Sequence, residues 1–286
     1  MKNIGFHLIS GHVEDIIDLA IREDIGAGDI TTDLLPDAEM IGNGKIIAKE
    51  PIVVAGLDIA NRVFEKFEPG TVFLSKYHDG DLVSANEVIA EISASMRTLL
   101  TGERIALNFL QRMSGIATNV RNYVSALGET NTRLVDTRKT IPGWRTLEKY
   151  AVRAGGAYNH RMGLFDGVLI KDNHIEALGG IKNAVSHARW CISHLIKIEV
   201  EVSDLEQVSE AVDSGADVIM LDNMDLDGIK SAVALINKAA VIEVSGRVCK
   251  DNLRSLADVG VDIISVGALT HSAVFVDISM KILTDS

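Results

Sequence analysis

The chain has 286 residues, 47% of them hydrophobic, and a formal net charge of −12 at pH 7. That length holds one large domain or two moderate ones, with enough apolar residues for a substantial core. The acidic balance argues against a nucleic-acid partner, and no apolar run reaches the roughly 18 residues that a membrane span needs.

The N-terminal stretch MKNIGFHLISGHVEDI lacks the apolar core and cleavage site of a secretory signal. HVEDIIDLAIREDIG carries Val13, Ile16, Ile17, Leu19 and Ala20 at helical spacing and predicts a helix ending near Gly26. In GAGDITTDLLP, Asp29, Thr31 and Thr32 read as cap or turn residues, with a ligand loop as the alternative. Strand-like runs follow at 45–55, 71–76 and 88–93, punctuated by Gly56, Gly70 and Gly80, and predict a small, mostly antiparallel sheet. Residues 98–127 form a long helical pattern with too many apolar positions for a one-sided surface helix. Such a helix belongs between layers or at a subunit contact. Arg104 within it calls for an anionic partner, because an unpaired buried charge is costly.

From about residue 116 the pattern changes. Apolar runs at 134–136, 168–173, 196–202, 218–223, 241–246 and 263–267 alternate with helical stretches at 146–154, 180–192, 204–214, 226–238 and 251–259. Strand and helix in alternation mean parallel strands joined by crossovers. A full eight-stranded barrel takes about 200 residues or more, so these runs predict a shortened, open barrel whose active face is the C-terminal rim. An open doubly wound sheet is the alternative. Cys191 and Cys249 have no CxxC context and read as buried thiols in a reducing cytoplasm.

The rim residues carry the chemistry. Residues 134–174 hold seven Lys and Arg against four acids, a local excess of cations in an acidic chain. Arg138, Lys139, Arg161 and Lys171 lie beside apolar strands with His160 and His174, which suggests a small, multiply anionic ligand. In IKIEVEV, alternation puts Glu199 and Glu201 on one face. They read either as ion-pair partners or as holders of a divalent metal or sugar hydroxyls, and Glu201, nearer the strand end, is the ligand candidate. EVSGR and SVGAL close consecutive strands, where glycines leave backbone N–H groups for a phosphate. A Schiff-base, aldolase-type barrel using Lys139 or Lys171 is a rival reading.

DTRKTIPGWRTLEKYAVRAGGAYNHRMGLFDGVLIKDNH resembles the hallmark segment of the quinolinate phosphoribosyltransferases, or carboxylating nicotinate-nucleotide pyrophosphorylases. EDIGAGDITT, LLTGERIALNFLQRMSGIAT, VEVSDLEQ, IMLDN, EVSG and ISVGALTHS extend the resemblance over nearly the whole chain. It implies an α/β fold with an N-terminal α/β sandwich domain at 1–115, to which 272–286 return. It further implies an incomplete, open six-to-seven-stranded α/β barrel at 116–271. The implied reaction joins quinolinate to 5-phosphoribosyl 1-pyrophosphate, giving nicotinate mononucleotide, pyrophosphate and carbon dioxide, with Mg²⁺, in the cytoplasm, on the route to NAD. A homodimer, or a hexamer built as a trimer of dimers, with active sites shared between subunits, is implied too.

Carried over by position, Arg138, His160, Arg161 and Lys171 bind the two quinolinate carboxylates, with Arg104 reaching in from the neighbouring subunit. Thr137 and Lys139 line the same pocket, Lys139 nearer the pyrophosphate. Glu201 and Asp222 hold the ribose hydroxyls and the metal, directly or through water. Ser245, Gly246, Gly267 and Ala268 cradle the 5-phosphate, and Val266 is implied as substrate-binding. Lys139, Lys171, Glu201 and Asp222 form the implied catalytic set. The family often has a second glycine where this chain has Arg247, which keeps a backbone N–H for the phosphate and leaves its side chain's role open.

Overall fold

The computed structural model describes residues 10–283. Residues 1–9, where the stretch read for a signal begins, and 284–286, the end of the tail, lie outside the described residues. The chain divides into two compact units. One comprises Met1–Arg121, Thr140–Gly156 and Ser272–Ser286; the other comprises Asn122–Lys139 and Ala157–His271.

The first unit begins with α1 (Gly11–Ile25), which buries Val13 and Ile17. Asp29 then closes the following turn, accepting from the Thr31 and Thr32 N–H groups and both the Thr32 and Thr101 hydroxyls. This satisfies the cap-or-turn reading of Asp29. Next come β1 (Ile41–Ala48), β2 (Ile52–Val53), α2 (Leu57–Phe67), β3 (Val72–Ser75), β4 (Leu82–Val83), β5 (Val88–Ser95) and α3 (Met96–Leu127). The run at 45–55 is two strands, because the chain breaks at Pro51, which has no N–H for a ladder. Helix α2 escapes the sequence reading, since polar residues interrupt its apolar run. One face of it nevertheless buries Leu57, Ile59, Ala60, Val63 and Phe64, each large side chain contributing roughly 1.5–3 kcal/mol. Helix α3 buries Leu99, Ile105, Leu107, Phe109, Leu110, Met113 and Ile116, as a helix between layers should.

The second unit starts with β6 (Arg133–Val135). The chain then gives α4 (Arg145–Gly155) to the first unit, although the sequence reading counts it among the barrel helices. It returns with β7 (Val168–Ile170), α5 (Asp172–Leu178), α6 (Ile181–Cys191), β8 (Ile198–Val202), α7 (Leu205–Asp213) and β9 (Val218–Asp222). Then follow α8 (Leu226–Ile236), β10 (Val241–Ser245), α9 (Leu253–Asp258), β11 (Ile263–Ser265) and α10 (Ala268–His271). The last strand, β12 (Ile278–Leu283), pairs antiparallel with β1 in the first unit, whose four-stranded sheet runs β12-β1-β5-β3.

The six-stranded sheet of the second unit runs β6-β11-β10-β9-β8-β7, and every pairing is parallel. Read cyclically, that is chain order with no reversal. A doubly wound sheet reverses its order at a switch point, so the open barrel is the fold. Beyond β6, Val135 makes one parallel bridge to Tyr158, in the segment before β7. Side chains on the helices fix local ends: Asp204 accepts from the Gln207 N–H at 2.8 Å to cap α7, and Asp225 accepts from the Gly228 N–H at 2.8 Å to cap α8.

Both cysteines are free, and both are exposed rather than buried. Cys191 ends α6 and Cys249 follows β10, where neither helix nor strand presses them against a core. Among the described residues no helix is long and apolar enough to cross a membrane.

Candidate active site

Parallel registers place the rim residues on one face. Leu169 pairs with Glu199, Glu201 with Met220, Ser245 with Asp222, and Ser265 with Val135. Side chains alternate along a strand, so Glu199, Glu201, Asp222, Glu243, Ser245 and Ser265 share a face. Continuing each strand by two residues brings Lys171, Gly267 and Thr137 to the C-terminal ends of β7, β11 and β6. The Lys171 ammonium forms an ion pair with Glu201 across two adjacent strand ends. Asp222, at the end of β9, accepts from the Asn223 side-chain amide at 2.6 Å.

Asp136, fully buried just after β6, organises the neighbouring loop. It accepts from the His160 N–H at 2.9 Å and from the Asn159 side-chain amide at 2.7 Å. Asp166 accepts from the Met162 and Gly163 N–H groups and tightens the turn that follows. Arg161, held between, donates to the Gly167 carbonyl at 2.9 Å. Burial first, and the nearby Arg138 guanidinium second, hold Arg161 below the usual guanidinium range, while Glu199 and Asp166 oppose the shift. Two guanidinium groups close enough to repel each other are poised for an anion that would quiet both.

His160 has both ring nitrogens engaged. Nδ1 accepts from the Arg161 N–H at 2.8 Å. Nε2 lies 3.2 Å from Glu199 and 3.6 Å from Glu243. Since Nδ1 is an acceptor, a neutral imidazole carries its proton on Nε2, toward the glutamates. These three residues bring one ligand atom each within 4.8 Å of one another, a spacing compatible with a metal ion. The tautomer opposes that use, because a ligating Nε2 would have to give up the proton that Nδ1 cannot take. The hydrogen-bond pattern therefore makes His160 a link between Arg161 and the acids, in addition to the carboxylate-binding role implied for it.

Lys139 donates its N–H to the Thr137 hydroxyl at 3.1 Å, and its carbonyl accepts from the Thr270 hydroxyl at 2.8 Å. Just after β10, Gly246 has φ 81°, and a Cβ there would stand 2.3 Å from Asn223 Oδ1, so only glycine fits. Arg247 is exposed and follows at φ 52°, in the left-handed region, with its carbonyl held by the Asn252 amide at 3.1 Å. At Gly267 a Cβ would stand 2.9 Å from Cδ of the Lys139 side chain, which would have to shift to admit it. Val266 follows β11 directly. It donates its N–H to the Val135 carbonyl at 3.0 Å, and its side chain is buried.

The cationic segment is thus divided. Arg138, Lys139, Arg161 and Lys171 belong to the second unit, whereas Arg145, Lys149 and Arg153 lie on α4 in the first, with Lys149 fully buried. Arg104 lies on α3 in the first unit and is exposed. Sequence reasoning missed Glu243. Its signal was an acid alternating with apolar residues in VIEVS, two residues before Ser245.

Two family profiles match: "Quinolinate phosphoribosyl transferase, C-terminal domain" over residues 116–281 and "Quinolinate phosphoribosyl transferase, N-terminal domain" over residues 29–114. The chain belongs to the quinolinate phosphoribosyltransferase family. A probable carboxylating nicotinate-nucleotide pyrophosphorylase of Synechocystis is 46% identical over 266 residues, 92% of this chain and 90% of that one. A probable carboxylating pyrophosphorylase of Bacillus subtilis is 44% identical over 91% of this chain and 90% of its own. Among solved structures, NadC from Streptococcus pyogenes superposes with a TM-score of 0.92 at 42% identity, over 95% of this chain and 96% of that one. The nicotinate-nucleotide pyrophosphorylase of Francisella tularensis superposes with a TM-score of 0.91 at 39% identity, over 95% and 96%. Membership in this phosphoribosyltransferase family removes the aldolase-type reading.

Proposed function

We propose that this chain transfers the phosphoribosyl group of 5-phosphoribosyl 1-pyrophosphate to quinolinate and releases carbon dioxide, making nicotinate mononucleotide for NAD synthesis. The observation that carries the reading is the crowding of Arg138 and Arg161 on a rim that also holds Lys171. A planar dicarboxylate answers two neighbouring guanidinium groups, with a lysine on the same rim, better than any single phosphate would. Family membership supports the same substrate pair.

The chemistry then follows from positions. Arg138, Arg161 and Lys171 hold the two carboxylates, with His160 beside them, and Thr137 and Lys139 line the side toward the pyrophosphate. The ring nitrogen attacks C1 of the ribose as the C1–O bond to pyrophosphate breaks. Glu201 and Asp222 bind the ribose hydroxyls and stabilise the positive charge that develops on the sugar. No protein nucleophile is required, so holding the two reactants in line supplies much of the rate. After transfer the ring nitrogen is cationic, and the electron pair left when carbon dioxide departs from the adjacent carbon is stabilised by it.

Glu201 and Asp222 form an all-oxygen pair at neighbouring strand ends, a donor set that suits Mg²⁺ with pyrophosphate oxygens and water as its other ligands. When bound, Mg²⁺ would neutralise charge on the departing pyrophosphate. Ser245, Gly246, Arg247, Gly267 and Ala268 surround the 5-phosphate. The assembly is a homodimer, or a hexamer built as a trimer of dimers, in which Arg104 completes the neighbouring subunit's site. The exposure of Arg104 on its own chain supports that arrangement. The enzyme works in the cytoplasm, a setting supported by its two free thiols.

Incubating the protein with quinolinate, 5-phosphoribosyl 1-pyrophosphate and Mg²⁺ should yield nicotinate mononucleotide, pyrophosphate and carbon dioxide in equal amounts. No product, or equal use of nicotinate in place of quinolinate, overturns the reading. Mixed oligomers of Arg104→Ala and Lys171→Ala chains should regain activity above that of either variant alone. Failure to regain it would show that each site is built from one chain.

A further inference from the structure

Glu243 and Glu199 are both buried, and Oε1 of each has no hydrogen-bond partner among the described residues. They come from β10 and β8, on the face that carries the rim residues, and both approach His160 Nε2. Two ionised carboxylates at such a distance, out of water, repel strongly; one shared proton removes the repulsion and gives an orphaned oxygen a partner. His160 supplies only one N–H to the pair, because its Nδ1 is occupied by the Arg161 N–H. Glu199 is the member that also faces a cation, since it acts on Arg161. The charge therefore belongs on Glu199 and the proton on Glu243.

We propose that Glu243 is a positioning residue for the reaction described above: as a neutral acid it donates to Glu199, and Glu199 fixes the His160 ring and balances Arg161. The inference rests on the quinolinate reading for its kinetic part and on geometry alone for the protonation pattern. Burial and the Glu199 charge both push the Glu243 carboxyl up, to about 7, while His160 pulls it down. The groups facing it are Glu199 from β8, His160 from the loop before β7, and the uncharged Ser265 from β11. Its register partners, Met220 on β9 and Ile263 on β11, carry no charge.

Above its ionisation, a second buried anion appears next to His160 and weakens the hold of the arginines on a dianionic substrate. Quinolinate KM should therefore rise with pH near neutrality, with kcat less affected. Glu243→Ala should raise quinolinate KM about tenfold, the equivalent of about 1.4 kcal/mol. Glu243→Gln, an uncharged donor of similar shape, should rescue most of that loss and abolish the rise with pH. Two readouts are independent of substrate. Nitrogen NMR of the wild type should show His160 unprotonated at Nδ1, and infrared spectra should show a protonated buried carboxyl that disappears in Glu243→Gln.

A Gln variant as impaired as Ala, or a KM rise with pH that persists in Gln, overturns the kinetic role. A protonated Nδ1, no carboxyl band, or tight stoichiometric binding of Zn²⁺ alone that Glu243→Ala abolishes overturns the protonation pattern. Should Glu243→Ala fail to fold, the Gln variant and the two spectra still decide. Spectra that agree with the proposal in a protein that makes no nicotinate mononucleotide would sink the proposed reaction and leave the protonation pattern standing.

Discussion

Lys171 and Glu201 form an ion pair across the ends of β7 and β8, with side chains 41% and 18% exposed. Each holds the other at the rim, so the lysine is already in place for the substrate carboxylate proposed to meet it. Removing either leaves its partner's charge without its neighbour. Lys171→Ala and Glu201→Ala should each lower kcat/KM about tenfold to hundredfold, as expected for a charged hydrogen bond. The double variant should lose less than the product of the two, because they share one interaction. Steady-state kinetics on the four proteins checks this, and full multiplicativity would mean the pair does not act together.

Gly246 carries the turn after β10, proposed to hold the 5-phosphate, through φ 81°, against Asn223. Gly246→Ala should raise the KM for 5-phosphoribosyl 1-pyrophosphate by more than about tenfold, since the Asn223 clash must shift the loop. Gly70 has φ 95° but nothing within 4 Å of an added Cβ. Gly70→Ala should cost only the roughly 1–2 kcal/mol of left-handed strain and leave that KM alone. Kinetics and denaturant titration of both variants separate strain from substrate contact.

Arg112 and Glu148 make a buried pair in the first unit, 2.6 Å apart with side chains 7% and 0% exposed. Arg112 also donates to the Ala273 carbonyl at 2.7 Å, tying the returning tail to α3. Glu148→Ala leaves a guanidinium without its partner and should cost about 3–5 kcal/mol by denaturant unfolding. Replacing both, as Arg112→Met with Glu148→Leu, should recover a large part of that loss.

Stability should depend on pH through Glu243. Its folded pKa, about 7, lies above the ordinary 4.5, so the folded state binds a proton more tightly than the unfolded one. The contribution is fully present below the ordinary value and is lost as pH rises through about 7. Glu14 and Glu68 have the opposite sign. Hydrogen bonding, from Arg62 and from the Ser95 backbone respectively, holds them low, so their stabilisation is lost as pH falls. The difference between wild type and Glu243→Gln isolates the first effect: the melting-temperature gap should change across that window and be flat well above it.

Much of the fold was legible because period and composition report it locally. The alternation of apolar runs and helical stretches after residue 116 needed only short-range physics, as did the excess of apolar positions along α3 and the acids alternating in β8. The cationic segment pointed to an anionic ligand for the same reason. Helix α2 was hidden because its buried face emerges only once α3 is there to cover it, where Phe64 meets Gly102.

What the chain alone determined is which residue types stand at strand ends, since that depends on spacing. Only the tertiary structure decided their company. Strand order came from long-range pairing, which ruled out a doubly wound sheet, and contacts across the fold assigned α4 to the first unit. Proximity in space also set Glu243 beside Glu199, 44 residues earlier in the chain, and turned His160 toward both. Charge interactions depend on distance and burial, and neither is written in the order of residues.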